Sequence, residues 1–314
     1  RNYQDFAIIK KLDIYILYIP RIIMSYQLWI SPKTGYRRKG TRFSSLRKIF
    51  SDNITAKNIY EPILCCPLNS NGHDAKEALR IRGFDVAGVK NTENGEVIGY
   101  IQAGDLGDEN IEKYVRKINS DLLISDSTPI ADIFSILTEI DYSFVISGKN
   151  ISGIITKADI NKPPVRIYLF GIISLFEMHL SAWVNHYFPD DSWLVSVPEK
   201  RIQGAKKIFE QRKSNNQELS LLECMQFCDK RDLLLKSPEF MKDFDFSRRN
   251  FESFVKNLEE IRNNLAHSNY SIIETIEWSR LIEIISRAEA FLIDSDNKAE
   301  NFAAEGNNFK DLFI

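Results

Sequence analysis

The feature that most constrains the fold of this chain is a repeated order of β-type and helical sequence patterns between residues 61 and 160. In each copy a short β-type run precedes a helical pattern, and two further β-type runs follow it. The second copy begins about 55 residues after the first, and self-similarity at a fixed spacing indicates one supersecondary unit used twice. We therefore predict a tandem pair of α/β units over residues 61–162.

The bounds of the predicted elements follow from local composition and turn signals, such as the run Asn-Thr-Glu-Asn-Gly-Glu at residues 91–96. The first copy is predicted to contain a helix at residues 74–82 and strands at residues 63–65, 85–89 and 97–102. The second copy is predicted to contain a helix at residues 130–140 and strands at residues 122–124, 143–146 and 151–156.

Residues 163–293 show helical periodicity instead of β-type runs. One apolar stripe has the three- and four-residue spacing of an amphipathic helix, and it consists of Phe251, Phe254, Val255, Leu258, Ile261 and Leu265. A second stripe covers residues 272–293. The predicted fold class is α+β. Its parts are an N-terminal arm at residues 1–60, the α/β pair, an all-α bundle at residues 163–293 and a frayed, acidic tail at residues 294–314.

The formal net charge of −2 conceals an uneven distribution of charge. Residues 1–60 carry 12 basic and 3 acidic side chains, residues 61–162 carry 10 and 16, and residues 163–314 carry 19 and 24. Within the arm, residues 33–48 contain seven basic residues and no acidic one. This segment is either a solvated connector or packed helix, or a contact for nucleic acid or phosphate.

Cysteine content and hydropathy indicate the cellular compartment of the protein. None of the four cysteines has zinc-site spacing, so we expect reduced thiols, no metal site and a cytoplasmic protein. Residues 167–189 are apolar, and Glu177 is their one formal charge. A buried bundle helix explains this stretch better than a membrane span, because a charged side chain at the bilayer centre costs about 2.5–3.5 kcal/mol.

The second copy ends in a run of residues suited to phosphate and ribose. The run is Gly-Ile-Ile-Thr-Lys-Ala-Asp at residues 153–159. Glycine allows close backbone approach, and a threonine hydroxyl at a helix start can bind a phosphate oxygen beside backbone N–H groups. An aspartate one turn later can accept hydrogen bonds from both ribose hydroxyls. The first copy has Gly99 and Asp105 at the same offsets, but Gln102 replaces the threonine.

The repeated element order and this run resemble a tandem of CBS domains (a Bateman module) over residues 61–162. Such modules bind adenine nucleotides or related adenosyl ligands in clefts between the two copies. The resemblance implies a regulatory nucleotide site in which Asp159 binds the ribose, while Thr156, beside Gly153, binds phosphate. The alternative is that Thr156 and Asp159 cap the helix that follows.

The same resemblance implies further ligand contacts in the second copy. Thr128 is expected near the phosphates, and Tyr142 and Phe144 are expected near the base. Asp105 is the corresponding residue of the first copy. Because Gln102 departs from the pattern there, we expect one functional nucleotide site instead of two.

A second chemical pattern closes the apolar-striped helix, where four residues separate Arg262 from His267. Asn263 precedes His267 by four positions, so both side chains reach the same helix surface. Cleavage of RNA without metal needs a group of near-neutral pKa to exchange a proton with the 2′-hydroxyl or the leaving 5′-oxygen, and histidine meets that need. A permanently charged arginine stabilises the negative charge that develops on phosphorus.

With its downstream helix, the run Arg-Asn-x-x-Ala-His at residues 262–267 resembles the HEPN superfamily, over residues 163–293. Many members carry R-x(4–6)-H and are metal-independent ribonucleases whose composite site forms across a dimer. The resemblance implies a homodimeric endoribonuclease with Arg262, Asn263 and His267 as catalytic residues, RNA as substrate and no cofactor for catalysis. The expected product carries a 2′,3′-cyclic phosphate, and toxin or antiphage defence roles are typical of this architecture.

Other interpretations of the same residues remain open. Arg262 could pair with Glu259 or Asp294 at the surface, and His267 could favour the negative end of its helix. The chain could then be a sensor without catalytic activity, whose helical half dimerises or binds a partner. A third hypothesis is an RNA-binding adaptor that uses the basic segment at residues 33–48.

Overall fold

A computed structural model describes residues 28–30, 37–39, 42–92, 95–215, 217, 220–266 and 276–304. Within these residues the sheets lie in the N-terminal half and the C-terminal half is helical, which confirms the predicted combination of an α/β part with a helical part. The chain divides into two compact units at residues 43/44, 173/174, 259/260 and 289/290. The first unit contains Ser174–Glu259, and the second contains Ser44–Ile173 and Glu260–Glu289. The domain boundaries proposed from the sequence at residues 60 and 162 stay predictions.

Two short strands, one α-helix and a 3₁₀ turn at Ala56–Asn58 represent the arm in the described part of the chain. Strand β1 (Leu28–Ile30) pairs antiparallel with β2 (Arg37–Lys39). Helix α1 (Phe43–Asn53) follows, and its Phe43 and Phe50 side chains are buried. The end of the basic segment is therefore packed helix, as one of the two interpretations held, whereas residues 31–36, 40 and 41 lie outside the described residues.

The two predicted α/β copies have the same topology. In the first, β4 (Cys65–Pro67) pairs parallel with β5 (Val86–Lys90) after helix α2 (Gly72–Arg82), and β5 pairs antiparallel with β6 (Val97–Gln102). The second repeats this order and these pairings with β7 (Leu123–Ser125), α3 (Ile130–Glu139), β8 (Tyr142–Ser147) and β9 (Asn150–Thr156). The predicted duplication is confirmed. Helix α2 begins two residues earlier than predicted because Asn71 caps it, accepting from the N–H groups of His73 and Asp74.

Each copy receives a short segment that precedes the other copy. Strand β3 (Glu61–Pro62), just before the first copy, pairs antiparallel with β9 of the second. Arg116, just before the second copy, forms a bridge with Tyr100 in β6 of the first. This reciprocal exchange ties the two copies together through backbone hydrogen bonds, and the sequence patterns did not predict it.

Aromatic packing closes the second copy against the helices of its own compact unit. The Phe50 and Phe134 rings lie 5.1 and 5.7 Å from the Tyr168 ring, and Trp278 lies 6.1 Å from Phe134. Burial beside Glu289 raises the pKa of the Tyr168 hydroxyl, which donates a hydrogen bond to Glu289 Oε1 at 2.6 Å. These contacts hold the start of the long helix that follows β9.

The helical half consists of α4 (Pro163–Tyr187), α5 (Glu199–Ser214), α6 (Phe227–Leu234), α7 (Pro238–Asp243), α8 (Arg248–Ala266) and α9 (Trp278–Ala304). The predicted stripe on α8 is buried at all six positions. In the first unit, the ring of Phe176 lies 4.8 Å from Phe291, 5.4 Å from Phe254 and 6.2 Å from Phe227. The prediction of an amphipathic helix over residues 251–265 is confirmed.

The frayed tail predicted over residues 294–314 is wrong over residues 294–304, where α9 continues to Ala304. Ser295 and Asp296 are buried and hydrogen-bonded: Ser295 Oγ accepts from the Trp183 indole N–H at 2.6 Å, and Asp296 Oδ2 accepts from the Phe43 N–H at 2.9 Å. A hydropathy pattern assigns polar residues to the solvent-exposed surface even where they form hydrogen bonds with buried groups, and this is why the prediction failed. Residues 305–314 and residues 272–275 of the second stripe lie outside the described residues.

Helix α4 has the length and apolar composition that a membrane span would need, and no other helix in the described ranges has both. Of its most apolar window, 61% is buried inside the protein. Burial of this kind is what the core helix of a bundle requires. The cytoplasmic location stays a prediction.

Candidate functional site

The run at residues 153–159 ends β9 and begins a 3₁₀ turn whose polar groups bond to each other. Asp159 is buried, with 6% of its surface exposed. Its Oδ2 atom accepts a hydrogen bond from the Thr156 backbone N–H at 2.6 Å. Thr156 Oγ1 accepts from the Ala158 N–H at 3.3 Å. This geometry is the capping arrangement that the sequence offered as the alternative to ligand binding.

The second carboxylate oxygen of Asp159 faces Lys162. Lys162 Nζ lies 2.8 Å from Asp159 Oδ1 and also contacts Glu61 and the carbonyl oxygen of Ile59. Partial burial lowers the pKa of Lys162, but hydrogen bonds to Asp159 and Glu61 outweigh that effect and the pKa is raised. A ribose that binds Asp159 therefore has to compete with Lys162 or Thr156 for the carboxylate. The ribose and phosphate roles stay predictions.

Aromatic side chains from both copies meet between β6 and β8. The ring centroid of Tyr100 lies 5.2 Å from that of Phe144 and 6.1 Å from that of Tyr142. Gln102 Nε2 donates a hydrogen bond to the Tyr142 hydroxyl at 2.7 Å. Burial, and then a hydrogen bond with Tyr100, raises the pKa of Tyr142 to about 12. Gln102, the residue that departs from the threonine pattern, therefore connects the two copies.

The remaining predicted ligand residues differ in their access to solvent. Tyr142 is half-buried and stands opposite Thr156 in the β8–β9 ladder, so these two candidates are neighbours. Phe144 is fully buried. Thr128 is half-buried, and its carbonyl accepts from the Ala56 N–H at 2.9 Å. Asp105 is exposed and forms an ion pair with Arg116.

Packing alone requires a glycine at position 153, whether or not a ligand binds there. A Cβ atom there would overlap the Tyr60 ring and lie 2.6 Å from the Glu61 carbonyl oxygen. Gly99, its counterpart in β6, would place a Cβ atom 2.6 Å from the Arg116 carbonyl oxygen. Both glycines therefore admit the exchanged segment that runs beside the last strand of each copy.

Two of the three predicted catalytic residues, Arg262 and Asn263, lie near the C-terminal end of α8. Arg262 is half-buried and Asn263 is exposed, whereas His267 lies outside the described residues. Arg166, in the first turn of α4, donates from Nη2 to the carbonyl oxygens of Leu265 at 2.7 Å and Asn264 at 3.3 Å. It thereby satisfies two of the carbonyl groups that a helix end leaves unpaired and places a positive charge at the negative end of the helix.

Glu259, one of the alternative partners of Arg262, contacts a different arginine. Arg231 Nη1 lies 3.2 Å from Glu259 Oε2. Asp294, the other alternative, lies 2.7 Å from Lys298 Nζ. Neither distance tests the catalytic assignment, which stays a prediction.

A short stretch of chain connects the two candidate sites within the second compact unit. Lys162, the partner of Asp159, directly precedes α4, and its carbonyl oxygen accepts from the N–H groups of Val165 and Arg166. Arg166 then holds the end of α8, just beyond Arg262. The sequence analysis missed Lys162 and Arg166. The i, i+3 spacing of Asp159 and Lys162 was a usable signal, but Arg166 bonds to backbone carbonyls, which have no sequence signature.

Within the described ranges, no group of three or more His, Cys, Asp or Glu side chains is placed to hold a metal ion. The four cysteines are free thiols.

No protein-family profile matches the sequence, and no curated protein matches it. Among solved structures, the CBS domains of a transcriptional regulator from Streptococcus pneumoniae share 21% identity, with 35% of this chain and 98% of that chain covered and a TM-score of 0.30. A CBS domain pair in complex with 5′-methylthioadenosine and S-adenosyl-L-methionine shares 18% identity, with 34% and 91% covered and a TM-score of 0.30.

The CBS domain of a bacterial CNNM/CorC family Mg²⁺ transporter, in complex with ATP, shares 10% identity, with 38% and 92% covered and a TM-score of 0.31. The similar structures thus include several CBS-domain proteins, each over about a third of this chain.

Proposed function

We propose that this protein is a nucleotide-regulated, metal-independent endoribonuclease. Residues 61–162 would act as a CBS pair that binds an adenine nucleotide or a related signalling nucleotide. Residues 163–293 would act as a HEPN-type domain that cleaves RNA at a composite site in a homodimer. The observation that carries the proposal is the connection from Asp159 through Lys162 and Arg166 to the end of α8.

That connection bears on two requirements of regulation, namely a ligand affinity that differs between conformations and a route from the ligand to the end of α8. A ligand regulates only if it binds two conformations with different affinity. Because Lys162 occupies the carboxylate of Asp159, a ribose at Asp159 favours conformations in which Lys162 has left it. Lys162 precedes α4 directly, so its displacement acts on the first turn, where Arg166 holds the end of α8.

In the cleavage step, His267 would exchange the proton of the 2′-hydroxyl or of the leaving 5′-oxygen. Arg262 would stabilise the charge on the phosphoryl oxygens, and the Asn263 amide would orient the same phosphate. The 2′-oxygen forms a bond to phosphorus as the bond to the 5′-oxygen breaks, which yields a 2′,3′-cyclic phosphate and a 5′-hydroxyl. Arg166 would act as a positioning residue for this group because it holds the backbone next to it.

The first prediction concerns cleavage by active-site variants. The wild-type protein should cleave labelled RNA in excess EDTA, whereas Arg262→Ala and His267→Ala should each lose roughly 100-fold or more of the rate, the scale of general acid–base catalysis. Arg280→Ala and His73→Ala are matched controls, because Arg280 pairs with Glu283 and His73 lies near Asp108 on the surface. Full activity in both active-site variants would overturn the assignment.

The same experiment tests regulation when it is repeated with ATP, AMP and S-adenosyl-L-methionine. We expect at least one of them to change the cleavage rate and to bind in calorimetry, and Asp159→Asn to weaken that binding. Light scattering should give twice the chain mass of 36.3 kDa. RNA cleavage by a monomer would contradict the composite site.

A second candidate function is a nucleotide sensor that does not cleave RNA. The observation in its favour is the capping geometry around Arg166, which accounts for the end of α8 without catalysis. Nucleotide binding without RNA cleavage at any tested condition would favour this candidate.

A further inference from the structure

Helix α5 is the most strongly basic helix in the described part of the chain. Its sixteen residues include six basic side chains, namely Lys200, Arg201, Lys206, Lys207, Arg212 and Lys213, and two acidic ones, Glu199 and Glu210, a net charge of +4. It lies in the first compact unit. The wider region at residues 163–314 is net acidic, with 19 basic and 24 acidic residues. The charge of α5 is therefore a local feature.

Within the described residues, no lysine or arginine of α5 pairs with an acid one turn away on the same helix, as Arg80 does with Glu77 and Lys256 with Glu252. On α5, Arg201 lies 3.0 Å from the buried Asp229. Lys200, Lys206 and Lys207 are exposed and form no ion pair with any residue that the structure describes. Lys200 and Lys207 lie on the same helix face, so their positive charges can attract one anionic ligand.

A groove of about 340 Å³ opens beside Lys200. Its walls come from α5 and from residues 224–229, and they are formed by Lys200, Arg201, Gly204, Ala205, Ile208, Cys224, Met225, Gln226 and Asp229. Gly204 lies in the helix interior, where glycine costs about 1 kcal/mol relative to alanine. A Cβ atom at Gly204 would meet no atom within 4 Å. The groove thus exposes helix backbone beside positive charge.

The groove also carries fixed hydrogen-bonding groups. Arg201 Nη1 donates to Gln226 Oε1 at 2.8 Å, which holds the guanidinium group at the rim with 45% of the side chain exposed. Gln226, which also lines the groove, is exposed. Of the apolar residues on α5, Ile208 is 41% exposed and Ile202 and Ala205 are buried. Ala205, Ile208 and Met225 form an apolar wall of the groove, and Lys200 and Arg201 form its cationic rim.

We propose that α5 and this groove bind the phosphate backbone of single-stranded RNA. Backbone binding is driven by neutralised phosphates and needs no apolar patch. Lys200 and Lys207 are two helical turns apart on one face, so they can contact successive phosphates, and Gly204 between them leaves room for the sugar–phosphate chain. This inference rests on the proposed function and extends it, because it assigns RNA capture to a surface remote in sequence from Arg262.

The test measures RNA binding separately from RNA cleavage. The probe is a fluorescent single strand of about 20 nucleotides, more than one binding site long, with 2′-O-methyl groups that block the cyclic-phosphate reaction. The full-length triple variant Lys200→Gln, Lys206→Gln, Lys207→Gln is compared with Lys57→Gln, Lys117→Gln, Lys149→Gln. The control removes three exposed positive charges from the other compact unit. Anisotropy titrations run from about 50 to about 200 mM salt.

We expect the α5 variant to bind roughly tenfold or more weakly at low salt and to reduce the slope of log K against log salt by about 1.4, which corresponds to the two phosphates assigned to Lys200 and Lys207 at about 0.7 each. The control should stay within about twofold of wild type. Gly204→Leu, which fills the groove without changing charge, should also weaken binding. Equal affinities for the α5 variant and the control would overturn the inference.

Two further measurements distinguish RNA from other anionic ligands of α5, and distinguish RNA binding from RNA cleavage. If the α5 variant loses affinity for labelled poly-glutamate or for anionic phospholipid vesicles but keeps its affinity for RNA, the surface serves an acidic protein or a membrane, and the RNA assignment is wrong. RNA binding is also measured in the Arg262→Ala variant. If Arg262→Ala abolishes cleavage but leaves RNA binding unchanged, binding and cleavage are distinct functions of the chain. If neither the wild type nor any variant cleaves RNA, the proposed cleavage activity is wrong, but the binding titrations still test the inference about α5.

Discussion

Asp296 illustrates how one buried carboxyl group links stability to pH. It lies on α9 with 6% of its surface exposed, and its Oδ2 atom accepts a hydrogen bond from the Phe43 N–H. Burial raises its pKa from 3.8 to about 6, although the hydrogen bond from Phe43 and the charge of Arg42 act in the opposite direction. The folded protein therefore holds this proton more tightly than the unfolded chain. The contribution of Asp296 to the free energy of unfolding is largest at acidic pH and falls as pH rises through the pKa of the folded state.

Asp296→Asn should remove this pH dependence while its amide oxygen still accepts from Phe43. The free energy of unfolding of the variant, minus that of wild type, should grow as pH rises from about 4 to about 7 and reach about 1–3 kcal/mol. Urea unfolding at several pH values measures the difference. Asp294→Asn is the control, because Asp294 is half-exposed and pairs with Lys298. A difference that stays constant with pH would contradict the assignment of the shift to Asp296.

Glycines in two kinds of element should respond oppositely to alanine. In β9, Gly153→Ala drives a Cβ atom into the Tyr60 ring beside β3, so we expect a loss of about 1–3 kcal/mol in the free energy of unfolding. In α5, the Cβ atom of Gly204→Ala would contact no other atom, and the substitution removes the flexibility of a helical glycine. We therefore expect the free energy of unfolding to rise by about 0.5–1 kcal/mol. Thermal and urea unfolding of the two variants measure both signs. A stable Gly153→Ala protein would show that β3 does not pack tightly on β9.

The sequence predicts elements well where a pattern spans several residues, and poorly where one contact decides. The strand Val97–Gln102 was predicted with its observed bounds, and the stripe on α8 was buried as expected. Strand β3 was missed because two residues carry no periodicity. The capping box of Thr156 and Asp159 could be proposed from the sequence. The ion pairs of Lys162 with both Asp159 and Glu61 could not, because they depend on the exchange between the two copies.

At the scale of the whole molecule, regulation requires that occupation of the α/β pair changes the end of α8. The contacts available for this are few: Asp159 with Lys162 ahead of α4, and Arg166 with the carbonyl oxygen of Leu265. Spatial connection is not yet coupling, because a coupling energy has to be measured as a change in one site caused by the other. Lys162 is the residue at which the two can be separated, since it touches neither Arg262 nor the aromatic cluster between β6 and β8 in the contacts described.

Lys162→Gln should therefore reduce the effect of nucleotide on RNA cleavage more than it changes nucleotide binding itself. Without Lys162, the carboxylate of Asp159 is available to a ribose, so affinity should hold or rise, while the ratio of cleavage rates with and without nucleotide should move towards one. The matched control is Lys157→Gln, because Lys157 lies on the same turn and pairs with the exposed Asp141 at 2.8 Å. Calorimetry gives the affinity and single-turnover cleavage gives the ratio. If Lys162→Gln keeps the wild-type ratio, the nucleotide acts on the helical domain by a route that bypasses the start of α4.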